Sequence, residues 1–304
     1  MYNYSIIIPH YNSVDFLQRC LDSIPYRDDL QIIIVDDNSN PNKVDFNSFP
    51  GQDREHVKLI LSKEGKGAGY ARNLGIEQSE GKWLIFSDAD DVFCTDTLNS
   101  MMDKYVQDLN DIVFFNVDVI NAKNGCYENN RLEIRSHITR GNQEDIAWFR
   151  YGLTVPWGKF VKKSLVQEYK ILFDEVIAGN DVMFSLKSGY YAKSVKLDKA
   201  IIYKWYYYTN GNVSSNRTEC AALAKFGVSV RRNDFLERNN RELYRSNLFI
   251  TYIPFFSEIG YSIIKSFVSI IKVTPKKYWF KDVCEFMFFS SKHLLNKIKD
   301  FRKS

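Results

Sequence analysis

Short apolar runs recur along the first part of the chain, and each stops at polar or acidic residues. Ser5–Ile8 (SIII), Gln31–Val35 (QIIIV), Val57–Leu61 (VKLIL) and Trp83–Phe86 (WLIF) are too short for helices and rich in branched or aromatic side chains, as buried strands are. Helical spacing intervenes. Val14–Ile24 sets Phe16, Leu17, Cys20, Leu21 and Ile24 on one face, and Ala68–Gln78 and Thr95–Val106 read as helices before Asp111–Val117 returns to strand. Strands alternating with helices predict an α/β fold with a mostly parallel sheet covered on both faces. Ligands of such sheets bind beyond the carboxyl ends of the strands. The polar residues lie at those ends: His10-Tyr11-Asn12 after the first run, Asp36-Asp37 after the second, and Asp88-Ala89-Asp90-Asp91 after the fourth.

Three aspartates in four positions repel one another in a poorly hydrated site, so a counter-charge must offset them. Oxygen donors with no Cys or His nearby suit Mg2+ or Mn2+ better than zinc. An Asp-x-Asp at a strand end therefore points to a metal-bridged diphosphate. The same residues also suit capping of the following turn. The triplet alone leaves both readings open.

Composition narrows the classes. A chain of 304 residues, 45% of them hydrophobic, can bury a large core. Five scattered cysteines form no CxxC pair, which argues against a disulfide framework or zinc site and for a reducing compartment. The opening MYNYSIIIPHYN has neither a basic start nor a long apolar run, so a cytoplasmic location is expected. Charge is uneven: residues 217–304 hold 17 Lys+Arg against 8 Asp+Glu, a net of +9, while the remainder carries −5. The expected division is a sheet-bearing domain over 1–216 and a basic, mainly helical region over 217–304.

In that region Lys265 and Lys272 interrupt the apolar run, so a spanning helix is not expected. Lysines among bulky apolar residues suit peripheral contact with the inner face of a membrane, packing on the enzyme body, or a homodimer interface. No nucleic-acid motif accompanies the charge, and no such partner is expected. Between the two parts, Tyr127–Arg140 reads as a hairpin or extended excursion, Asn142–Tyr151 and Phe184–Ala192 as helices, and Ala200–Tyr207 as a strand.

Taken in order, SIIIPHYN, IIIVDDNS, GAGYARNLGI, GKWLIFSDADD and VPWGKFVKKSLV resemble the sequence blocks of family 2 glycosyltransferases, over roughly residues 4–210. The resemblance implies the GT-A fold, a Rossmann-like nucleotide-sugar-binding sheet, and an inverting, metal-assisted transfer from a nucleotide-diphosphate sugar. Pro9, Tyr11 and Asn12 resemble the family's turn beside the nucleotide base, where Tyr11 suits stacking; His10 is read as structural. Asp37 resembles the acceptor for a base N–H, which matches the imide of uracil and favours UDP, and Asp36 is assigned to the turn or the ribose side. Gly67, Arg72 and Asn73 match the family's G-x-x-x-ARN helix start, where backbone and helix N-terminus approach the nucleotide. The same glycines are spaced for neither a Walker A loop nor a dinucleotide fingerprint. Asp88, Asp90 and Asp91 resemble the DxD element. The resemblance makes Asp90 and Asp91 the ligands of Mn2+ or Mg2+ and gives Asp90 a contact to ribose or diphosphate, with Asp88 in support.

Trp157 and Lys159 match a Trp-x-Lys block on the acceptor side, where an indole would lie against a sugar face and an ammonium would meet a phosphate or hydroxyl. An inverting transfer needs a group to take the acceptor's proton. The family places it in an acidic pair opening a helix, and FDEVIAGNDVMFSLKSGYYAK fits that context, which makes Asp181 the base. Asn180 departs from the family's frequent Glu, Asp174 and Glu175 compete as carboxylates, and capping is a compatible role for Asp181. The segment 209–215 resembles a loop that closes over the donor.

The expected function is transfer of one sugar, of hexosyl type, from a UDP-sugar to a saccharide or lipid-linked saccharide in surface-polysaccharide synthesis. A sugar-phosphate nucleotidyltransferase is the alternative within enzymes; PHYN stands where its Gly-rich loop belongs. A non-catalytic nucleotide- or glycan-binding module is the alternative outside them, opposed by the joint presence of Asp37, the aspartate cluster and Asp181.

Overall fold

Three of the four branched runs form strands that are shielded along nearly their whole length, while Val57–Ser62 lies half exposed at the sheet edge. In the computed structural model, Tyr4–His10 (β1) and Leu30–Asp37 (β2) are almost entirely buried. The structure describes residues 1–128, 133–208, 218–258, 260 and 262–301. β1 pairs in parallel with β2 on one side and with Trp83–Phe86 (β4) on the other, and β2 pairs in parallel with Val57–Ser62 (β3). The carboxyl ends of these four strands therefore share one edge of the sheet, and register sets His10 beside Asp36.

Beyond β4 the sheet changes sense. Lys159–Lys162 (β7) enters antiparallel between β4 and Ile112–Asn121 (β6). Val195–Tyr207 (β8) runs parallel to β6, and Val92–Phe93 (β5) closes the edge antiparallel to β8. The order is β3-β2-β1-β4-β7-β6-β8-β5. Pairing between β6 and β8 slips on both sides of Asn116, an irregularity of the kind that bends a strand and re-aims its side chains. Past the slip, β8 brings Tyr203 and Tyr206 to the acidic turn after β4.

Helices Val14–Asp22 (α1), Ala68–Gln78 (α2) and Thr95–Tyr105 (α3) follow the strands as their periodicity predicts. α2 lies so close to β1 that a Cβ on Gly75 would stand 2.3 Å from the Ile7 side chain, so only glycine permits the approach. One expectation is overturned. Ile134–Arg140 is a helix (α4) rather than an extended excursion, because Ile134 and Ile138, one turn apart, both bury against the core and Gly141 ends the helix in a left-handed conformation. Gln143–Tyr151 (α5) opens with a reciprocal cap between Asn142 and Asp145, and Lys163–Glu168 (α6) and Val182–Tyr191 (α7) follow.

The chain divides into two compact units, Met1–Ser215 and Asn216–Ser304. The second consists of Glu219–Arg238 (α8), Leu248–Glu258 (α9), Ile263–Val273 (α10) and Lys276–Phe301 (α11). It has its own small core of Ala222, Leu248, Phe249, Tyr252, Ile253 and Ile270. Among the described residues no helix is long and apolar enough to cross a membrane.

Candidate active site

The turn after β4 gathers the three aspartates: ligand oxygens of Asp88, Asp90 and Asp91 all lie within 4.8 Å of one another. Their surroundings differ. Asp88 pairs with the Arg72 guanidinium. Asp91 is 1% exposed, and its carboxylate accepts from the Tyr203 hydroxyl at 2.8 Å and from the Tyr206 backbone N–H at 2.7 Å. Burial, then the charges of Asp88 and Asp90, push its pKa well above the carboxylate range. Asp90 is pushed up to about 6 by burial and by Asp88. A cluster of carboxylates that resists losing its last protons is short of positive charge even with Arg72 beside Asp88, and its all-oxygen donor set fits a hard divalent cation.

The second strand end is a hydrogen-bonded frame. His10 Nδ1 donates to Asp36 at 2.7 Å while its Nε2 accepts from the Ser13 N–H at 3.1 Å, so the ring is spent on structure. Ser39 bonds the same carboxylate; despite burial, the bonds from His10 and Ser39 hold Asp36 below its ordinary pKa. Asn12, at φ 54, donates its backbone N–H to Ser39 and accepts from Asn40. This frame leaves Tyr11 outward, 61% exposed, after partly buried Pro9. Asp37 accepts backbone N–H groups of Lys66 and Gly67, which fastens the glycine loop to β2. Gly67, at φ +90, has open space where a Cβ would stand and forms the N-cap of α2.

From α2, Arg72 reaches across to the acceptor half. One guanidinium nitrogen holds Asp88 and the other donates to Asn180 Oδ1 at 2.8 Å, while the group lies 5.3 Å from the Phe173 ring centroid. Asn73 turns elsewhere: its amide donates to the Phe173 carbonyl at 3.0 Å and accepts from the Phe173 N–H at 2.9 Å. It anchors the segment leading to Asn180 instead of facing the acid cluster. Gly69 makes that junction possible, because a Cβ there would sit 2.1 Å from the Asp174 carbonyl oxygen.

Asp181 occupies the N-cap position of α7 but makes no side-chain capping bond. Its pKa is raised by burial; Arg72 opposes the rise, Asp88 adds to it and Lys159 opposes it. Lys159, 1% exposed, donates to Ser185 Oγ at 3.0 Å, and burial lowers its pKa to about 7 against the pull of Asp181. Trp157 is 3% exposed and stacks on Tyr203 and Trp205 with centroids 5.4 and 5.8 Å away. Its indole is a packing element here.

Three contributors were invisible in the sequence. Tyr203, on β8, supports the acid turn through Asp91 and the Asp88 N–H. Ser87 joins the same phenol at 3.2 Å. Arg19, on α1, donates to the Asp90 carbonyl and packs its guanidinium 4.4 Å from the Tyr206 ring centroid. Nothing local marks them, since each partner is distant along the chain. Residues 209–215, read as a closing loop, fall outside the described residues.

The sequence model of glycosyl transferase family 2 matches residues 5–169. The protein named "Uncharacterized glycosyltransferase YibD" from Escherichia coli K12 is 26% identical over 273 residues, which cover 86% of this chain and 77% of that protein. The poly(ribitol-phosphate) beta-glucosyltransferase of Bacillus spizizenii W23 is 28% identical over 209 residues, 67% of this chain and 32% of its own length. This chain thus spans about a third of that relative. The crystal structure of S. aureus TarS 1-349 in complex with UDP-GlcNAc superposes with a TM-score of 0.67 at 17% identity, covering 91% of this chain and 82% of that one. The structural likeness speaks for the GT-A fold.

Proposed function

The chain belongs to glycosyl transferase family 2, and on that premise we propose that it moves a sugar, with inversion, from a UDP-sugar to a saccharide or lipid-linked saccharide. The carrying observation is the carboxylate of Asp181, which stands at a helix start without capping it and shares an electrostatic network with Arg72 and Asp88. In this reading Asp181 takes the acceptor hydroxyl's proton as that oxygen bonds the anomeric carbon and the bond to the diphosphate breaks. Asp90 and Asp91 would hold Mn2+ or Mg2+, which would supply positive charge against the departing diphosphate. Tyr11 offers an exposed ring to the base, and Asp37, which already accepts the Lys66 and Gly67 N–H groups, is the family-matched acceptor for a base N–H. The choice of UDP is supported by Asp37 and by the UDP-GlcNAc bound to the TarS neighbour. A synthetic role in surface polysaccharide is supported by the ribitol-phosphate relative.

The test is thermal stabilisation by UDP-, GDP-, CMP- and dTDP-sugars, each with and without Mn2+. A UDP-sugar shift that needs Mn2+ is expected. Stabilisation by another nucleotide alone would reassign the donor, and none by any would remove the proposal.

The second unit favours an acceptor presented at a membrane. Ile264, Phe280, Met287 and Phe288 are exposed there, with Phe280 at 85%, beside exposed Lys265, Lys272 and Lys281. Apolar side chains among lysines suit an anionic lipid surface. Co-sedimentation with phosphatidylglycerol vesicles, but not phosphatidylcholine vesicles, is expected; a dimer in solution that needs these residues would replace the membrane with a second copy.

A further inference from the structure

Lys159 is a buried cation that the proposed chemistry does not use. It lies on β7, and its ammonium donates to Ser185, whose own hydroxyl donates to the Val155 carbonyl at 2.9 Å. Ser185 is four residues after Asp181 on α7, so it occupies the same helix face one turn below, and its backbone N–H donates to the Asp181 carbonyl. Burying an ammonium is costly unless a counter-charge compensates. The counter-charge acting on Lys159 is Asp181, and the effect is mutual.

We propose that Lys159 is a positioning residue that touches no substrate: parked beneath the first turn of α7 by Ser185, it keeps the Asp181 carboxylate ionised and ready to accept a proton. This rests on Asp181 being the base. The groups acting on that carboxylate are Arg72 from α2, Asp88 from the turn after β4, and Lys159 from β7. Arg72 already pairs with Asp88, which leaves Lys159 as the cation without a carboxylate ion pair among them. Burial drives both Lys159 and Asp181 towards their neutral forms, and each charge opposes that drift in the other, with Arg72 adding the larger pull on Asp181.

The decisive measurement is the pH dependence of kcat at saturating Mn2+ and UDP-sugar for the parent, Lys159→Met and Ser185→Ala. Removing the ammonium moves the acidic limb upward by about one pH unit and leaves the donor KM unchanged. Ser185→Ala, which frees the ammonium without deleting it, moves the limb the same way by less, and it serves alone if Lys159→Met fails to fold. A limb that stays in place in the folded variants overturns the proposal, as does a raised donor KM, which would make Lys159 a substrate contact. Asp181→Asn separates the two readings: if it retains transfer, the base assignment fails; if it is inactive while the limb stays fixed, only the role of Lys159 fails.

Discussion

The Tyr203 hydroxyl donates to Asp91 at 2.8 Å and accepts the Asp88 backbone N–H at 3.0 Å, so one phenol braces both ends of the acidic turn. Buried carboxylates this close need such fixed donors to stay in register for a cation.

Tyr203→Phe removes both bonds and keeps the ring stacked on Trp157. The expected cost is about 2 kcal/mol of stability, because a buried acceptor and a part-buried N–H lose their partner. Manganese-dependent donor binding weakens with it. Urea denaturation and calorimetric titration read the two effects, and a variant as stable as the parent would dismiss the bracing role.

Acidity acts on the same turn. Asp90 titrates at about 6 in the fold, above its ordinary 3.8, so between those values the folded chain holds more protons than the unfolded one. Without metal, this group's contribution makes stability fall as pH rises through that window. With Mn2+ present the proton and the ion compete, so affinity drops as pH falls below about 6. Manganese titrations at pH 5 and pH 7.5, followed by electron paramagnetic resonance, are expected to differ in that direction; equal affinities would take Asp90 out of the metal site.

Asp181→Asn keeps the shape and loses the proposed base. Transfer is expected to fall by about 10^2 to 10^4, the range for general base removal, with UDP-sugar affinity nearly unchanged. A radiolabelled-sugar transfer assay beside a binding isotherm gives both numbers. Comparable losses in each would point to a binding role instead.

Gly69→Ala tests the junction between the nucleotide-side helix and the segment before Asp181. The new methyl meets the Asp174 carbonyl, a backbone atom that cannot rotate aside. Overpacking of this kind costs about 1–3 kcal/mol, and the displaced segment carries Asn180 with it. Thermal melting and transfer rate are both expected to drop. Wild-type values would mean the two segments separate freely.

Much of the architecture was legible because branched apolar runs mark strands: β1, β2, β3 and β4 follow the four runs, buried in all but β3, and register then assembles the strand ends. The acid cluster was legible for the opposite reason, since nothing in core packing calls for Asp88, Asp90 and Asp91 together. What escaped depends on distance along the chain. Tyr203 meets Asp91 112 residues away, and no local pattern distinguishes it from its neighbours Trp205 and Tyr206. The four-residue β7 carries Lys159 inward over the Phe114 ring, whereas a lysine in sequence reads as solvent-facing. Trp157 shows the reverse: its type suggests a sugar platform, and its stacked neighbours give it a core role. The short α4 was missed because its seven residues offer only two core contacts to read.

The rigid fork of Arg72 has a consequence for how the two halves tolerate change. Its planar nitrogens meet Asp88 and Asn180 at once, so the gap between the acidic turn and the residue beside Asp181 is gauged by one inextensible group. Loops elsewhere around the site are then free to lengthen or shorten without resetting that gauge, whereas a lysine at this position, with a single tip, holds one end and releases the other.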